Sequence, residues 1–142
     1  MKKIIAIVLF LLLLIGLYAY GKDDVKQDIF SIVEENEYLL IDAINTGEYE
    51  TIYNIKGITD ITVDDNYIVF YCSGKGIAPS SQEYGFYYSM KNQPIAIFDG
   101  KHICGSEDMK EKDNGYEYID NSYNRFYTEK IIGNFYYYDN SF

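Results

Sequence analysis

Hydrophobic and polar residues follow three different patterns along this chain, and each pattern predicts a different kind of element. The first is an uncharged, mostly apolar run over residues 4–20, with Lys2 and Lys3 directly before it. A run of this length is at the lower limit for a helix that spans a bilayer, and it exceeds the usual apolar core of a cleaved signal peptide. We therefore expect residues 1–21 to be a membrane anchor. Cleavage after Gly21 is the alternative, because Ala19 and Gly21 place small residues at the two positions that a signal peptidase requires.

The charges that flank this run predict its orientation. Lysines precede it, and Asp23 and Asp24 follow it, which favours an N terminus in the cytoplasm. Residues 22–142 would then form one domain outside the cytoplasm, of a size that a single core supports. The expected location is the cell membrane, in a single pass, with the membrane contacted through residues 4–20. Secretion after cleavage near Gly21 is the alternative location.

The second pattern has the period of an amphipathic helix. Apolar residues recur every three or four positions and form one stripe. They are Val25, Ile29, Ile32, Val33, Leu39, Leu40, Ala43 and Ile44. Asp23 or Asp24 supplies a cap for the first free N–H groups, and the sequence from Asn45 to Gly47 is typical of a helix end. These features predict one helix over residues 24–45.

The third pattern is strict alternation in short runs that are separated by turn residues, which predicts strands. The predicted strands cover residues 51–55, 58–63, 67–73, 84–90, 95–98, 116–119, 125–132 and 135–138. Residues 74–81 and 105–115 are predicted to be irregular. Consecutive strands with tight turns pair antiparallel, so the expected fold class is α+β. One amphipathic helix would pack on an antiparallel meander sheet of five to seven strands.

Charge limits the partners of this domain. The chain has 12 basic and 22 acidic residues, and without Lys2 and Lys3 the balance is ten against 22, a net charge near −12. Such a surface repels phosphate backbones, so we expect no nucleic acid partner. Cationic partners and divalent ions are compatible with this charge. The acidic stretch before Gly115 lacks the ligand spacing of an EF-hand, and we expect neither a metal site nor a cofactor.

Two cysteines, Cys72 and Cys104, fall in the predicted outer domain. In an oxidising compartment they allow one disulfide, which would add about 3–4 kcal/mol of stability by closing the loop between them. Two buried free thiols are the competing interpretation.

Aromatic residues are the candidates for binding. The chain has 17 tyrosines and eight phenylalanines but no tryptophan. Tyr84, Phe86 and Tyr88 would point to one side of their strand, and Tyr137 extends a second aromatic run. If exposed, these four residues, here called the aromatic strip, would suit stacking on a sugar or an extended peptide, with Arg125 as a nearby donor. Ordinary core packing with wetted hydroxyl groups is the alternative.

Catalytic motifs are not found. The single histidine, His102, lies two residues from Cys104, and this spacing alone does not give a nucleophile geometry. The sequence has no HExxH, Walker A or GxGxxG motif. We therefore expect a protein that is not an enzyme. A small hydrolase with a carboxylate pair is an alternative of a different class, and it requires a cleft that raises the pKa of one acid.

The C-terminal half carries a resemblance. The segments 84–89 (YGFYYS), 127–131 (YTEKI) and 135–138 (FYYY) resemble small, uncharacterised membrane-anchored proteins of Gram-positive gut bacteria. The resemblance implies an extracytoplasmic location and implies no activity. Together these features predict a membrane-anchored domain that binds another protein at the cell envelope. A module that binds wall glycans through the same tyrosines is the alternative.

Overall fold

A single long helix opens the structure. The computed structural model describes residues 2–77, 80–98 and 101–142. Its side chains are described except for those of residues 2–6, 8–9, 11–23, 75–77 and 80. Helix α1 covers Lys2–Thr46 without interruption. The predicted helix start at Asp23 or Asp24 is therefore wrong, because helical hydrogen bonding continues through both residues and leaves no free N–H groups to cap.

The predicted end of this helix is confirmed. Gly47 has a positive φ of 75°, a conformation that costs glycine little. Its N–H donates to the carbonyl oxygen of Ala43 at 2.8 Å, which closes the last turn.

Among the residues that the structure describes, no helix is both long enough and apolar enough to cross a membrane. The side chains of the predicted anchor, residues 4–20, lie outside the described residues except for those of Ile7 and Phe10, which are exposed. The side chains before the predicted cleavage site, which follows Gly21, also lie outside them.

Nine strands follow α1 in the described part of the chain. They are β1 (Asp60–Val63), β2 (Tyr67–Ile77), β3 (Ser80–Ser89), β4 (Ile95–Phe98), β5 (Lys101–Gly105), β6 (Lys110–Lys112), β7 (Gly115–Ile119), β8 (Arg125–Ile132) and β9 (Phe135–Ser141). The α+β class and the packing of one helix on an antiparallel sheet are confirmed. Two short 3₁₀ helices, Ile52–Asn54 and Ser106–Asp108, complete the element list.

The sheet is not a simple meander. Seven strands form one sheet in the order β1-β2-β3-β9-β8-β7-β6, and β4 and β5 form a separate hairpin. Strand β9 lies between β3 and β8 and pairs antiparallel with both. The predicted meander therefore fails at one place, because the chain leaves the sheet after β3 and returns to its centre only with the last strand.

Several local predictions are also wrong. The segment predicted as a strand over residues 51–55 contains a 3₁₀ helix with Ile52 fully buried. In the segment 74–81, predicted as a loop, the described residues 74–77 and 80–81 continue the β2–β3 ladder, with Gly74 opposite Glu83. The irregular segment 105–115 contains β6, and β5 was not predicted at all. For the three strand segments, backbone pairing with a neighbouring strand supplies order that the side-chain pattern does not show.

Both faces of the seven-stranded sheet are covered. Helix α1 packs on one face and forms what we call the helix-side core, which includes Val33, Leu40 and Phe70. The β4–β5 hairpin packs on the other face and forms the hairpin-side core, which includes Tyr87 and Ala96. A sheet that is buried on both sides needs apolar or aromatic residues at successive positions, which accounts for the tyrosine-rich strands.

Candidate functional site

The aromatic strip is packed in the interior. Tyr84 is 3% exposed, Phe86 is fully buried and Tyr137 is 1% exposed, and all three belong to the helix-side core. Tyr88 is half-buried and packs against the same core. The exposed strip that the sequence allowed is therefore absent at these positions, because α1 covers the face on which they lie. The structure gives these four residues a packing role and does not present them to a partner.

Arg125 is half-buried and already engaged. Its Nε lies 2.5 Å from Oε1 of Glu117, and its Nη1 lies 3.7 Å from Oδ2 of the buried Asp139. Its guanidinium also lies over the ring of Tyr127. The residue predicted as a donor for a partner is thus part of an ion-pair network within the domain.

This network borders a polar pocket of about 200 Å³ between α1, β8 and β9. Lys26 reaches across it from the helix, with its Nζ 2.5 Å from Oε2 of Glu129. The same carboxylate oxygen accepts a hydrogen bond of 2.7 Å from the Tyr127 hydroxyl. The Lys26 ammonium also lies 5.6–5.9 Å from the ring centroids of Phe30, Tyr127 and Tyr137. The pocket therefore joins the helix to the sheet through Lys26 and Glu129, while the Tyr137 hydroxyl in its lining has no hydrogen-bond partner among the described residues.

The two cysteines are not bonded to each other. Both are free thiols. The half-buried Cys72 packs against the helix-side core and the buried Cys104 belongs to the hairpin-side core, so the structure contains two free thiols and not the candidate disulfide. Burial raises the pKa of Cys72 to about 12 and that of Cys104 to about 11. Neither thiol is therefore activated as a nucleophile.

Groups for metal or acid–base chemistry are not gathered in the described residues. No group of three or more histidine, cysteine or acidic side chains is arranged to hold a metal ion in that part of the chain. His102 is exposed, and its backbone N–H donates to the Tyr67 hydroxyl. Burial works to raise the pKa of Glu117, but hydrogen bonds from Lys112 and Arg125 outweigh it and lower that pKa. This is the opposite of what a general acid requires.

A groove of about 240 Å³ lies on the hairpin side of the sheet, next to strand β1. We call it the edge groove. Among the described residues it is lined by Asp60, Thr62, Val69, Tyr71, Ile97, Tyr138 and Asn140. Asp60, Tyr71, Gly85 and Tyr138 lie side by side across four strands. A side chain at Gly85 would collide with the Phe70 carbonyl oxygen and with the Tyr138 ring, so glycine is what lets Tyr138 lie across the floor.

Two polar atoms in the wall of the edge groove have no hydrogen-bond partner among the described residues. They are the hydroxyl oxygen of Tyr138 and the side-chain carbonyl oxygen of Asn140, and each residue is 2% exposed. Burial raises the pKa of Tyr138 well above its ordinary value, so the hydroxyl keeps its proton. The Asn140 amide nitrogen donates to the Ile97 carbonyl at 3.1 Å, which fixes the opposite oxygen as an acceptor. Buried polar groups are almost always paired, so two orphans in one groove require an explanation.

Tyr87, on the same face of the sheet, has a buried hydroxyl whose hydrogen bonds are all formed within the protein. The Tyr87 hydroxyl accepts from the Ile95 N–H at 3.0 Å and contacts Thr128 Oγ1 at 2.9 Å. Thr128 gives its own proton to the Tyr137 carbonyl, so Tyr87 is the donor to Thr128. The hydroxyl of Tyr87 therefore has both an incoming and an outgoing hydrogen bond.

The edge groove ends at an open sheet edge. Within the described residues, β1 pairs with β2 on one side and with no strand on the other. Asp64 donates its N–H inward to Tyr67, and the antiparallel alternation then turns the backbone groups of Ile61 and Val63 outward. Val63 is 56% exposed. The opposite edge, β6, consists of two lysines and a glutamate, a composition that discourages pairing.

Sequence reasoning missed every residue of the edge groove. One pattern pointed toward it: the predicted last strand stopped at Tyr138, although alternation continues through Asn140, which the same period places on the hairpin side. An amide at a buried strand position is an unusual choice that needs a partner.

No protein-family model, curated protein sequence or solved structure matches this chain.

Proposed function

We propose that this protein is a membrane-anchored, extracytoplasmic binding domain that receives an extended segment of another protein along strand β1. The observation that carries the proposal is the edge groove, which extends from two buried polar atoms without partners on β9 to the open sheet edge at β1. Strand addition uses backbone hydrogen bonds for affinity and pockets for alternate side chains for specificity. The open edge of β1 offers the backbone hydrogen bonds, and the edge groove offers a pocket for side chains.

The anchor rests on the sequence of residues 4–20 and on the charges around it. Helix α1 continues from that run into the folded domain without a break. Lys26, the first of the described α1 side chains to hydrogen-bond to the sheet, is six residues beyond Tyr20, a rise of about 9 Å. An anchor at residues 4–20 would therefore hold the sheet close to the outer membrane surface, where envelope proteins are its neighbours.

A protein partner is favoured over a wall glycan because the aromatic strip is covered by α1. The edge groove does contain two tyrosines and an amide, which are groups that sugars use. The open strand edge, however, has no use in sugar binding and a direct use in binding a peptide backbone.

The proposal is tested by replacing Val63 with a photo-crosslinking amino acid in the full chain, expressed in the membrane of its native cell. The control carries the same amino acid at Ile119, which is 54% exposed on β7 near the other end of the sheet. We expect one crosslinked protein from position 63 and none from position 119. The same product from both positions, or none from either, would contradict binding at this edge.

A proline substitution separates backbone pairing from side-chain contact. Val63→Pro removes an outward N–H without removing a hydrogen bond of the sheet, whereas Val63→Ala keeps that N–H. We expect the partner to be lost in the proline variant and retained in the alanine variant. Equal binding by two folded variants would mean that β1 does not pair with the partner.

A further inference from the structure

We infer that the turn between β7 and β8, residues 120–124, makes a second contact with the membrane, through the ring of Tyr123 at the level of the lipid headgroups. This inference rests on the anchor of the proposed function and names the part of the domain that faces the lipid. It is carried by the exposure and backbone conformation of Tyr123, by the hydrogen bonds that order the turn, and by the direction of β8 relative to α1.

Tyr123 is both exposed and strained. Its side chain is 88% exposed, the largest value among the large hydrophobic and aromatic residues that the structure describes. Its φ of 65° lies in the left-handed region, which strains an aromatic residue and suits glycine or asparagine. A ring that is this exposed makes few contacts within the fold, so packing does not offset the strain. A strained residue of this kind is a candidate for a contact outside the domain.

The turn holds Tyr123 in a fixed position. The Asp120 carboxylate accepts the backbone N–H of Ser122 at 2.7 Å and that of Asn124 at 2.9 Å. Its second oxygen accepts the side-chain amide of Asn124 at 2.9 Å. The backbone N–H of Tyr123 donates to the Asp120 carbonyl oxygen at 3.1 Å. Because the turn is already ordered, presenting the ring to a partner costs little further conformational entropy.

Helix α1 and strand β8 run in the same direction. Lys26 on α1 bonds to Glu129 on β8. Glu37, eleven residues further along α1, lies beside Gly133, four residues past Glu129, where a Cβ would be 3.8 Å from the Glu37 carboxylate oxygen. The start of β8 and the turn before it therefore point toward the N-terminal part of α1, which leads to the predicted anchor.

The turn reaches the level at which the predicted anchor ends. Tyr20, the last residue of the apolar run, lies six residues before Lys26, a rise of about 9 Å along the helix. Arg125, the first residue of β8, lies four residues before Glu129, about 13 Å along the strand. The strand covers the longer distance, so the turn with Tyr123, beyond Arg125, reaches the level of Tyr20 even where helix and strand are inclined to each other.

Tyrosine is suited to this level of the membrane. Its ring is apolar and its hydroxyl is polar, and tyrosine is therefore enriched where a bilayer meets water. The sequence places Tyr18 and Tyr20 at the outer end of the apolar run, and Tyr123 would add a third ring from the sheet. Ile119, which pairs with Arg125 in the ladder at the same end, is 54% exposed. A lipid interface would cover both exposed side chains of this end.

A single tryptophan in the full chain tests the inference, because the chain has none of its own. Tyr123→Trp keeps an amphipathic ring at the turn, and the variant is placed in phosphatidylcholine nanodiscs whose acyl chains carry bromine, a quencher of tryptophan emission. The control is Tyr38→Trp, because Tyr38 is 80% exposed on α1 and about 27 Å beyond Tyr20 along the helix. We expect the brominated lipid to remove most of the emission of Tyr123→Trp and none of that of Tyr38→Trp.

The position of the bromine tests the depth of the contact. We expect bromine near the headgroup to quench Tyr123→Trp more strongly than bromine near the end of the acyl chain. The reverse order would overturn the assignment to the headgroup level. Phosphatidylcholine has no net charge, which removes the repulsion that this acidic domain would meet at an anionic surface.

A second set of variants tests whether the Tyr123 ring itself makes the contact. Ile119→Trp reports on the end of β7, and Tyr123→Asn is added to it, since asparagine keeps the left-handed turn and removes the ring. Ser122→Ala, in the same exposed turn, is the matched control. We expect Tyr123→Asn to reduce the quenching of Ile119→Trp, and Ser122→Ala to leave it unchanged. Equal quenching in both would overturn the role of the ring.

The outcomes separate this inference from the proposed function. A chain that does not enter nanodiscs would overturn the anchor, and this inference with it. A chain that enters them while Tyr123→Trp stays unquenched would overturn the inference and leave the anchor standing. Equal quenching of Tyr123→Trp and Tyr38→Trp would also overturn it, because the bilayer would then show no preference for the turn. Failure of the Val63 crosslink would overturn binding at β1 and leave the membrane contact standing.

Discussion

Removing one hydroxyl group from each of two tyrosines in the hairpin-side core should change the free energy of unfolding in opposite directions. The two substitutions are Tyr87→Phe and Tyr138→Phe. Both residues are at most 2% exposed, and in both cases the ring and its packing are preserved. The difference lies in their hydrogen bonds, because the Tyr87 hydroxyl has two and the Tyr138 hydroxyl has none among the described residues.

The magnitudes follow from the cost of unpaired polar groups. Tyr87→Phe removes two hydrogen bonds and leaves the Ile95 N–H without its acceptor, which should cost about 2 kcal/mol. Tyr138→Phe removes a buried hydroxyl that already lacks a partner, so the folded state should gain about 1 kcal/mol. The two variants should therefore differ by about 3 kcal/mol, although each has lost a single oxygen atom.

Urea unfolding of the full chain in detergent, followed by far-ultraviolet circular dichroism, measures this difference. The chain has no tryptophan, so secondary structure is a better probe than fluorescence. Equal slopes in urea would show that the variants unfold comparable structures. If Tyr138→Phe loses as much stability as Tyr87→Phe, then the Tyr138 hydroxyl has a partner in the folded protein. The edge groove would then lack the feature on which the proposed function rests.

Three further results are expected. Lys26→Met should lower the free energy of unfolding by about 1 kcal/mol. A double-mutant cycle with Glu129→Gln should give a coupling energy of about 0.5 kcal/mol or more. Additive effects of the two substitutions would mean that the pair does not interact. Because the pKa of Glu117 lies below its ordinary value of 4.5, its contribution to stability is complete above that pH and is lost as the pH falls further. Urea midpoints should therefore fall less steeply with acidification in Glu117→Gln, and parallel curves would contradict this. Iodoacetamide at about pH 8 should label neither Cys72 nor Cys104 in the folded protein, because burial raises the pKa of both thiols. Both thiols should be labelled in urea. Rapid labelling of the folded protein would contradict their burial.

The sequence predicts well wherever a structure depends on neighbouring residues. The helix end at Gly47 depends on one residue with a positive φ and on a hydrogen bond within the same turn. The β1–β2 turn at Asp64, Asp65 and Asn66 was predicted from its polar turn residues, and β8 was predicted with its exact limits, Arg125 and Ile132. Turn chemistry and side-chain period are local properties, so they can be deduced from a short window of sequence.

The candidate site could not be predicted because it depends on what covers each face of the sheet. Alternation shows that Tyr84 and Phe86 point one way and Tyr87 the other, but it does not show that α1 covers the first side and the β4–β5 hairpin the second. The same limit explains the cysteine prediction. Spacing permits a disulfide between Cys72 and Cys104, whereas the sheet places one thiol in each core.

The sequence by itself determined the α+β class, the amphipathic helix with its stop at Gly47, most of the strands, and the acidic charge that bears on the choice of partner. Tertiary structure alone decided that β9 enters the centre of the sheet, that β1 has an open edge within the described residues, and that the side chains of Tyr138 and Asn140 are buried with polar atoms that have no partner there. These features arise from pairing between segments that lie 50 or more residues apart, such as Gly85 with Tyr138. Such pairing depends on the balance of the whole fold, which no short window of sequence records.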